Sequence, residues 1–182
     1  MDKKKLIGTI VGVAMFAALI AGATFAWLTI TAPTTNGIYN GSTMNFVVNY
    51  TGGTNVTGLN ILSSPTPSAI TAGKGLIIVS AHRTAASAPG TLNIKFKLES
   101  SASSPLITDN AVKYAVCAGA ACTSITAQGS IGSGDTTLYS AAIPTTPTSY
   151  YIYLWLDGET IEDTHMNQKF AGYVYADATQ TD

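Results

Sequence analysis

Charge is what this chain of 182 residues has least of. Nine Lys and Arg and ten Asp and Glu make up 10% of the sequence, against about a quarter in ordinary soluble domains. The two signs nearly cancel, leaving a formal net charge of -1, while hydrophobic residues reach 46%. Disordered chains combine low hydrophobicity with high net charge, and this one has neither. No basic excess exists beyond the first five residues. A protein without one cannot neutralise a run of phosphates, so nucleic acid is excluded as the main partner. Catalytic motifs are missing as well: there is no G-x-S-x-G, H-E-x-x-H, phosphate-binding loop or G-x-G-x-x-G. In place of charge the chain carries Thr, Ser, Ala and Gly. These make a wettable, weakly repulsive surface, suited to an extracellular or self-associating protein.

The hydrophobicity has a local source. Met1-Asp2-Lys3-Lys4-Lys5 is followed by Leu6 through Ile30 without a charge. Such a run of about 25 residues spans roughly 37 Å as a helix, enough to cross a bilayer core. The three lysines hold the N-terminus in the cytoplasm and send everything from Thr31 onward outside. Signal peptidase requires small residues three and one positions before its cut. Ala21-Gly22-Ala23 meets that requirement and Thr24-Phe25-Ala26 meets it more loosely, so the candidate cleavage residues are Ala23 and Ala26. Residues 1–26 are then either a removed signal peptide or a retained single-pass membrane anchor. A type IV pilin-like segment would need a Glu shortly inside the apolar run, and the first Glu is Glu99. After removal of residues 1–26 about 156 residues remain, enough to bury close to 70% of the unfolded surface in one core.

Beyond Ile30 the pattern is that of strands. Residues 43–50, 75–80, 111–117, 137–143 and 169–178 are short apolar or alternating runs between turn formers. Leu92-Asn93-Ile94-Lys95-Phe96-Lys97-Leu98 alternates cleanly, predicting one core face and one wet face carrying both lysines. Tyr150-Tyr151-Ile152-Tyr153-Leu154-Trp155-Leu156 is bulky on both faces, which suits a central strand or one covered from outside. Gly52-Gly53, Ser64-Pro65-Thr66-Pro67, Ala88-Pro89-Gly90, Gly129 to Asp135 and Pro144-Thr145-Thr146-Pro147 supply the turns. No long amphipathic helix, internal repeat or linker is visible. The pattern predicts an all-β protein, an antiparallel β-sandwich of jelly-roll or immunoglobulin-like type, preceded by an N-terminal hydrophobic helix that is the signal segment. The expected organisation is 1–26 signal peptide or membrane anchor, 27–42 extended N-terminal segment and 43–182 β-sandwich domain.

Few residues invite chemistry. Cys117 and Cys122 flank Ala118-Gly119-Ala120-Ala121 between two apolar runs. This order predicts a hairpin tip closed by a disulfide, which export would permit, with a pair of reduced thiols as the alternative. The C-x4-C spacing is not that of a zinc knuckle. Asp157, Glu159, Glu162 and Asp163 form a run of carboxylates before His165 that could hold a hard cation such as calcium; the alternative is a solvated acidic loop, since the spacing is not an EF-hand. His82, at a strand exit beside Arg83, reads as a surface residue. Two isolated histidines do not make a catalytic metal site with an open position, so neither enzyme activity nor a cofactor is expected.

The two ends of the chain carry a resemblance. Lys3-Lys4-Lys5-Leu6 through Ala21-Gly22-Ala23-Thr24-Phe25-Ala26-Trp27 resembles the signal segment of the camelysin/TasA family of bacterial surface proteins. Asn167-Gln168-Lys169-Phe170-Ala171-Gly172, followed by Ala176-Asp177-Ala178-Thr179-Gln180, is similar to that family's closing strand. Together they cover about a quarter of the chain. The resemblance implies a secreted jelly-roll protein, processed by a dedicated signal peptidase and assembled into extracellular fibres of a biofilm matrix. Partners would be further copies in a head-to-tail homopolymer, or related matrix subunits, each lending its N-terminal segment as a strand to the next. A cut after Ala26 would start the mature chain at Trp27, with Leu28, Ile30 and Ala32 alternating against Thr29 and Thr31 until Pro33 stops the strand. Such a contact need not close and so builds a filament. The alternatives are a monomer that folds this strand into its own sheet, and a membrane-anchored surface or adhesion module that does not polymerise. Camelysin has been classed as a metallopeptidase, but the zinc-binding helix motif is missing here. The expected location is secreted, extracellular or cell-surface, with membrane contact only through residues 6–30 before cleavage.

Overall fold

The computed structural model describes residues 29–32, 37–40, 45–51, 55–84, 88–99 and 104–180. One sheet, A, contains β1 (Thr29–Ala32), β4 (Asn55–Thr57), β7 (Gly90–Leu98), β10 (Asp135–Ala142) and β12 (Ala171–Gln180). The other, B, contains β2 (Gly37–Asn40), β3 (Asn45–Thr51), β5 (Ile61–Leu62), β6 (Lys74–Arg83), β8 (Val112–Cys117), β9 (Ile125–Ser130) and β11 (Thr148–Asp157). The order across sheet A is β1-β12-β7-β10, with β4 also on β12. Across sheet B it is β2-β3-β6-β11-β8-β9, with β5 also on β11. All pairs are antiparallel except β5 with β11. The expected all-β sandwich is therefore present.

The core follows from the period of two. Leu92, Ile94 and Phe96 of β7 are fully buried, while Lys95 and Lys97 sit on the opposite face, as their alternation requires. From sheet A, Val174, Ala176 and Ala178 join them. From sheet B come Phe46, Val48, Val79, Val112, Val116, Ile152 and Leu154, all in one apolar cluster between the sheets. Tyr50 links the two layers directly, its hydroxyl accepting the backbone N–H of Ala176 at 2.9 Å.

β11 is central, flanked by β6 and β8, which explains its two bulky faces. Tyr150, Ile152 and Leu154 enter the main core; Tyr153 and Trp155 point the other way, into a second cluster with Ile70, Ala115, Cys117 and Cys122. Two pieces cover that outer face: the 3-10 turn Pro67–Ala72, which brings Ile70 down, and the tip of the β8–β9 hairpin. The hairpin tip is closed by the expected Cys117–Cys122 disulfide, with Cα atoms 5.1 Å apart. The Tyr153 hydroxyl donates to the Ala120 carbonyl in the same tip. A disulfide across so short a loop stabilises by about 2 kcal/mol in the chain-entropy picture. Replacing both cysteines by Ala is expected to lower the unfolding free energy by about 2 kcal/mol, read as a lower urea midpoint at a nearly unchanged slope, because the loop released is short.

Twelve strands stand among the described residues, more than the runs singled out in the sequence. The additional ones are short or lie at sheet edges. β9 is the instructive case: its Ile-Thr-Ala-Gln-Gly-Ser sequence has the composition of a turn, and Gly129 and Ser130 were expected to begin a loop. Among the described residues it is an edge strand paired only with β8, its residues half-buried or exposed, so it needs no apolar run. Gly129 fits because the Tyr114 ring lies across it; a Cβ there would come within 3.0 Å of Tyr114. The remaining elements among the described residues are a short helix, α1 (Ser104–Thr108), and the 3-10 turn Asp163–His165. Among the described residues no helix is long and apolar enough to cross a membrane. The expected N-terminal hydrophobic helix, with Ala23, Ala26, Trp27 and Leu28, lies outside the described residues.

Candidate functional site

β12 offers its two sides unequally. One side pairs with β7 along the whole strand, from Gly172↔Leu98 to Gln180↔Gly90. The other is shared by two short strands in tandem: β4 covers Ala171 to Tyr173, and β1 covers Ala176 to Thr179. Ile30 and Ala32 of the expected donor strand therefore lie in β1, opposite Ala178 and Ala176 of the same chain. The Ala176 N–H, just where β4 has ended and β1 begins, is the group taken by Tyr50. Among the described residues β1 pairs with β12 alone, and Pro33 follows it at once in sequence. An unpaired strand rim presents a row of free N–H and C=O groups, so this slot must be filled by some strand or it will recruit one.

The outer face of sheet A beside this slot carries a polar ladder that alternation alone could not specify. Asp177 is only 4% exposed. Lys95 Nζ lies 2.6 Å from its Oδ2, and Asn93 Nδ2 donates to its Oδ1 at 2.7 Å. Asn93 in turn accepts from the Ser140 hydroxyl at 2.8 Å, which ties β12, β7 and β10 together. One register step away the Tyr175 hydroxyl donates to Asp135 at 3.0 Å. Burial, followed by the Asp135 carboxylate and then Asp177 and Tyr173, pushes the Tyr175 phenol up to about 12. Each polar group in the ladder is matched, which is the condition for burying it.

The acidic run does not converge. Asp157 accepts from the Thr160 hydroxyl at 3.0 Å and lies 3.6 Å from Lys113 Nζ, whereas Glu159 is bonded to Ser64. Glu162 and Asp163 are exposed around the 3-10 turn. Among the described residues no three His, Cys, Asp or Glu side chains are grouped as a metal site. His165 is instead drawn inward, toward a partner far away in sequence. Its Nε2 meets Asp109 Oδ2 at 3.0 Å and its Nδ1 accepts the Glu162 N–H at 3.0 Å, fixing the Nε2-protonated tautomer and pinning the loop to the end of α1. Asp109 carried no signal in the sequence, because the pairing spans 56 residues. His82 is the penultimate residue of β6, at the strand exit, and is half-buried rather than fully on the surface.

A cleft of about 480 Å3 opens on the outer face of sheet B, beside the second apolar cluster. Its floor is Trp155 of β11, Lys113 of β8 and Gln128 and Ser130 of β9; Ser64, Pro65, Ile70, Asp157 and Glu159 form the wall. Trp155, Lys113 and Ser130 are consecutive cross-strand partners, so sheet register itself aligns them in one row.

No family model, curated protein or solved structure matches this chain.

Proposed function

We propose that this protein is a secreted cell-surface structural subunit that assembles into extracellular fibres of a biofilm matrix by N-terminal strand donation, as the resemblance of its ends to the camelysin/TasA family implies. The observation that carries this reading is β1. It is a four-residue strand at the rim of sheet A, paired among the described residues with β12 alone, and residues 33–36 separate it in sequence from β2 of the other sheet. A neighbour's β1 in the same slot would reproduce the register Thr29↔Thr179 to Ala32↔Ala176, so exchange between copies costs little in bonding. The disulfide supports export, since such bonds persist outside the reducing cytosol.

The strand order supports the jelly-roll form of the sandwich. Set aside β2 to β5 as an insertion, and count β1 and β6 to β12 as eight strands. Sheet A then runs first, eighth, third, sixth, and sheet B second, seventh, fourth, fifth, the arrangement of two Greek keys. In this arrangement β1 is the first strand, the one a chain can give away without unthreading the rest.

One observation favours the second reading, a membrane-anchored surface module that does not polymerise: β1 pairs within its own chain. Deleting Trp27 to Ala32 from the mature chain separates the two. Under strand donation the deleted subunit keeps its β-rich circular dichroism but loses all fibres in negative-stain microscopy and sediments as a monomer. Fibres that survive the deletion refute strand donation, and a natural protein whose intact mass still includes residues 1–26 points to the anchored module.

A further inference from the structure

We infer that the outer-face cleft of sheet B is a binding site for a neutral, hydroxyl-rich saccharide. This site is independent of the strand-donation reading, since it lies on sheet B and β1 on sheet A. The volume of about 480 Å3 falls within the range of small-molecule clefts, about 300–1,000 Å3. The chemistry of the lining narrows the ligand. Lys113 is occupied by Asp157 at 3.6 Å and by the Ser130 hydroxyl at 3.1 Å, and two carboxylates outnumber it, so the cleft has no spare cation for a phosphate or carboxylate. The carboxylates are engaged separately, Asp157 by Thr160 and Glu159 by Ser64, so they form no cation cage.

What remains unengaged is a small set of donors and acceptors beside the apolar part of the lining. Trp155 is 6% exposed and lines the cleft, yet its indole N–H has no acceptor among the described residues. This N–H opens on the cleft and is not among the buried unpartnered atoms, so a ligand oxygen would take the place of solvent there. The Gln128 amide, exposed at the rim, offers two donors and an acceptor with no partner of its own among the described residues. Trp155, Ile70 and Pro65 supply the apolar part of the lining. A pyranose ring has matching halves: C–H groups on its faces and hydroxyls that both donate and accept around its edge. A simple anion, a metal ion or a purely apolar ligand would leave one half of this lining unused.

The test uses the 15N-labelled full chain, which has two indole N–H signals, from Trp27 and Trp155, assigned with the variant Trp27→Phe. Maltotriose, cellotriose and tri-N-acetylchitotriose are titrated separately, with inorganic phosphate as the anionic comparison. At least one trisaccharide is expected to shift the Trp155 signal saturably while leaving Trp27 in place. Gln128→Ala, an exposed substitution that leaves the core untouched, should weaken that binding about tenfold, the worth of one good hydrogen bond. The inference is overturned if none of the three sugars shifts Trp155. It is equally overturned if phosphate shifts it as strongly, or if Gln128→Ala binds like the parent.

Discussion

Gly172→Ala is expected to destabilise the domain by about 3 kcal/mol, at the upper end of what overpacking costs. Gly172 lies in β12 opposite Leu98 of β7 and Val56 of β4, and is buried. Phe96 and Phe170 stack beside it, with ring centroids 5.4 Å apart and planes 10° from parallel. A Cβ at this position would strike the Phe96 ring and come within 2.5 Å of the Lys97 carbonyl oxygen. The ring could swing away only by breaking its stack on Phe170, and the carbonyl belongs to the β7 backbone and cannot move without opening the ladder. Other residues lack this constraint: a Cβ at Gly119 meets nothing within 4 Å, so Gly119→Ala should change stability by less than about 0.5 kcal/mol. Urea unfolding followed by tryptophan fluorescence compares the two. A Gly172→Ala protein as stable as the parent would mean that the Phe96 ring is not held against Gly172.

Lys95→Met should cost nearly as much, about 3 kcal/mol, because it strands a carboxylate rather than merely removing a contact. The Asp177 side chain is 5% exposed, and the Lys95 ammonium is its only cationic partner among the described residues. Without it the charge keeps only the Asn93 amide. The long Lys stem is replaced by a side chain of similar length, so packing is largely retained and the loss is electrostatic. Adding Asp177→Asn to Lys95→Met should restore part of the stability, since a neutral amide needs no counter-charge. If the double variant is the less stable of the two, the electrostatic account fails.

Much of the sandwich was legible because burial repeats every two residues. β7 announced its faces through Lys95 and Lys97, and β11 announced its central place through having no polar face. The disulfide was legible as well, because its cysteines are neighbours in sequence on either side of a tight tip. Partners distant in sequence were not. The pairing of His165 with Asp109 spans 56 residues and the contact of Asn93 with Asp177 spans 84, so no local pattern points to either. Edge strands such as β9 escaped for a different reason: with one neighbour and a wet face they obey weak compositional rules. The cleft escaped because Trp155, Lys113, Gln128 and Ser130 come from three strands and meet only through register.

The antiparallel pairing of β1 with β12 has a mechanical consequence. Thr29 faces Thr179 and Ala32 faces Ala176, so the outermost residues of the first and last strands sit side by side at one end of the sheet. Tension applied between those two ends peels the pair open one rung at a time instead of sliding all rungs together. β1 therefore yields at low load, while β4 still guards the other half of the β12 rim and the β7 pairing behind it stays intact.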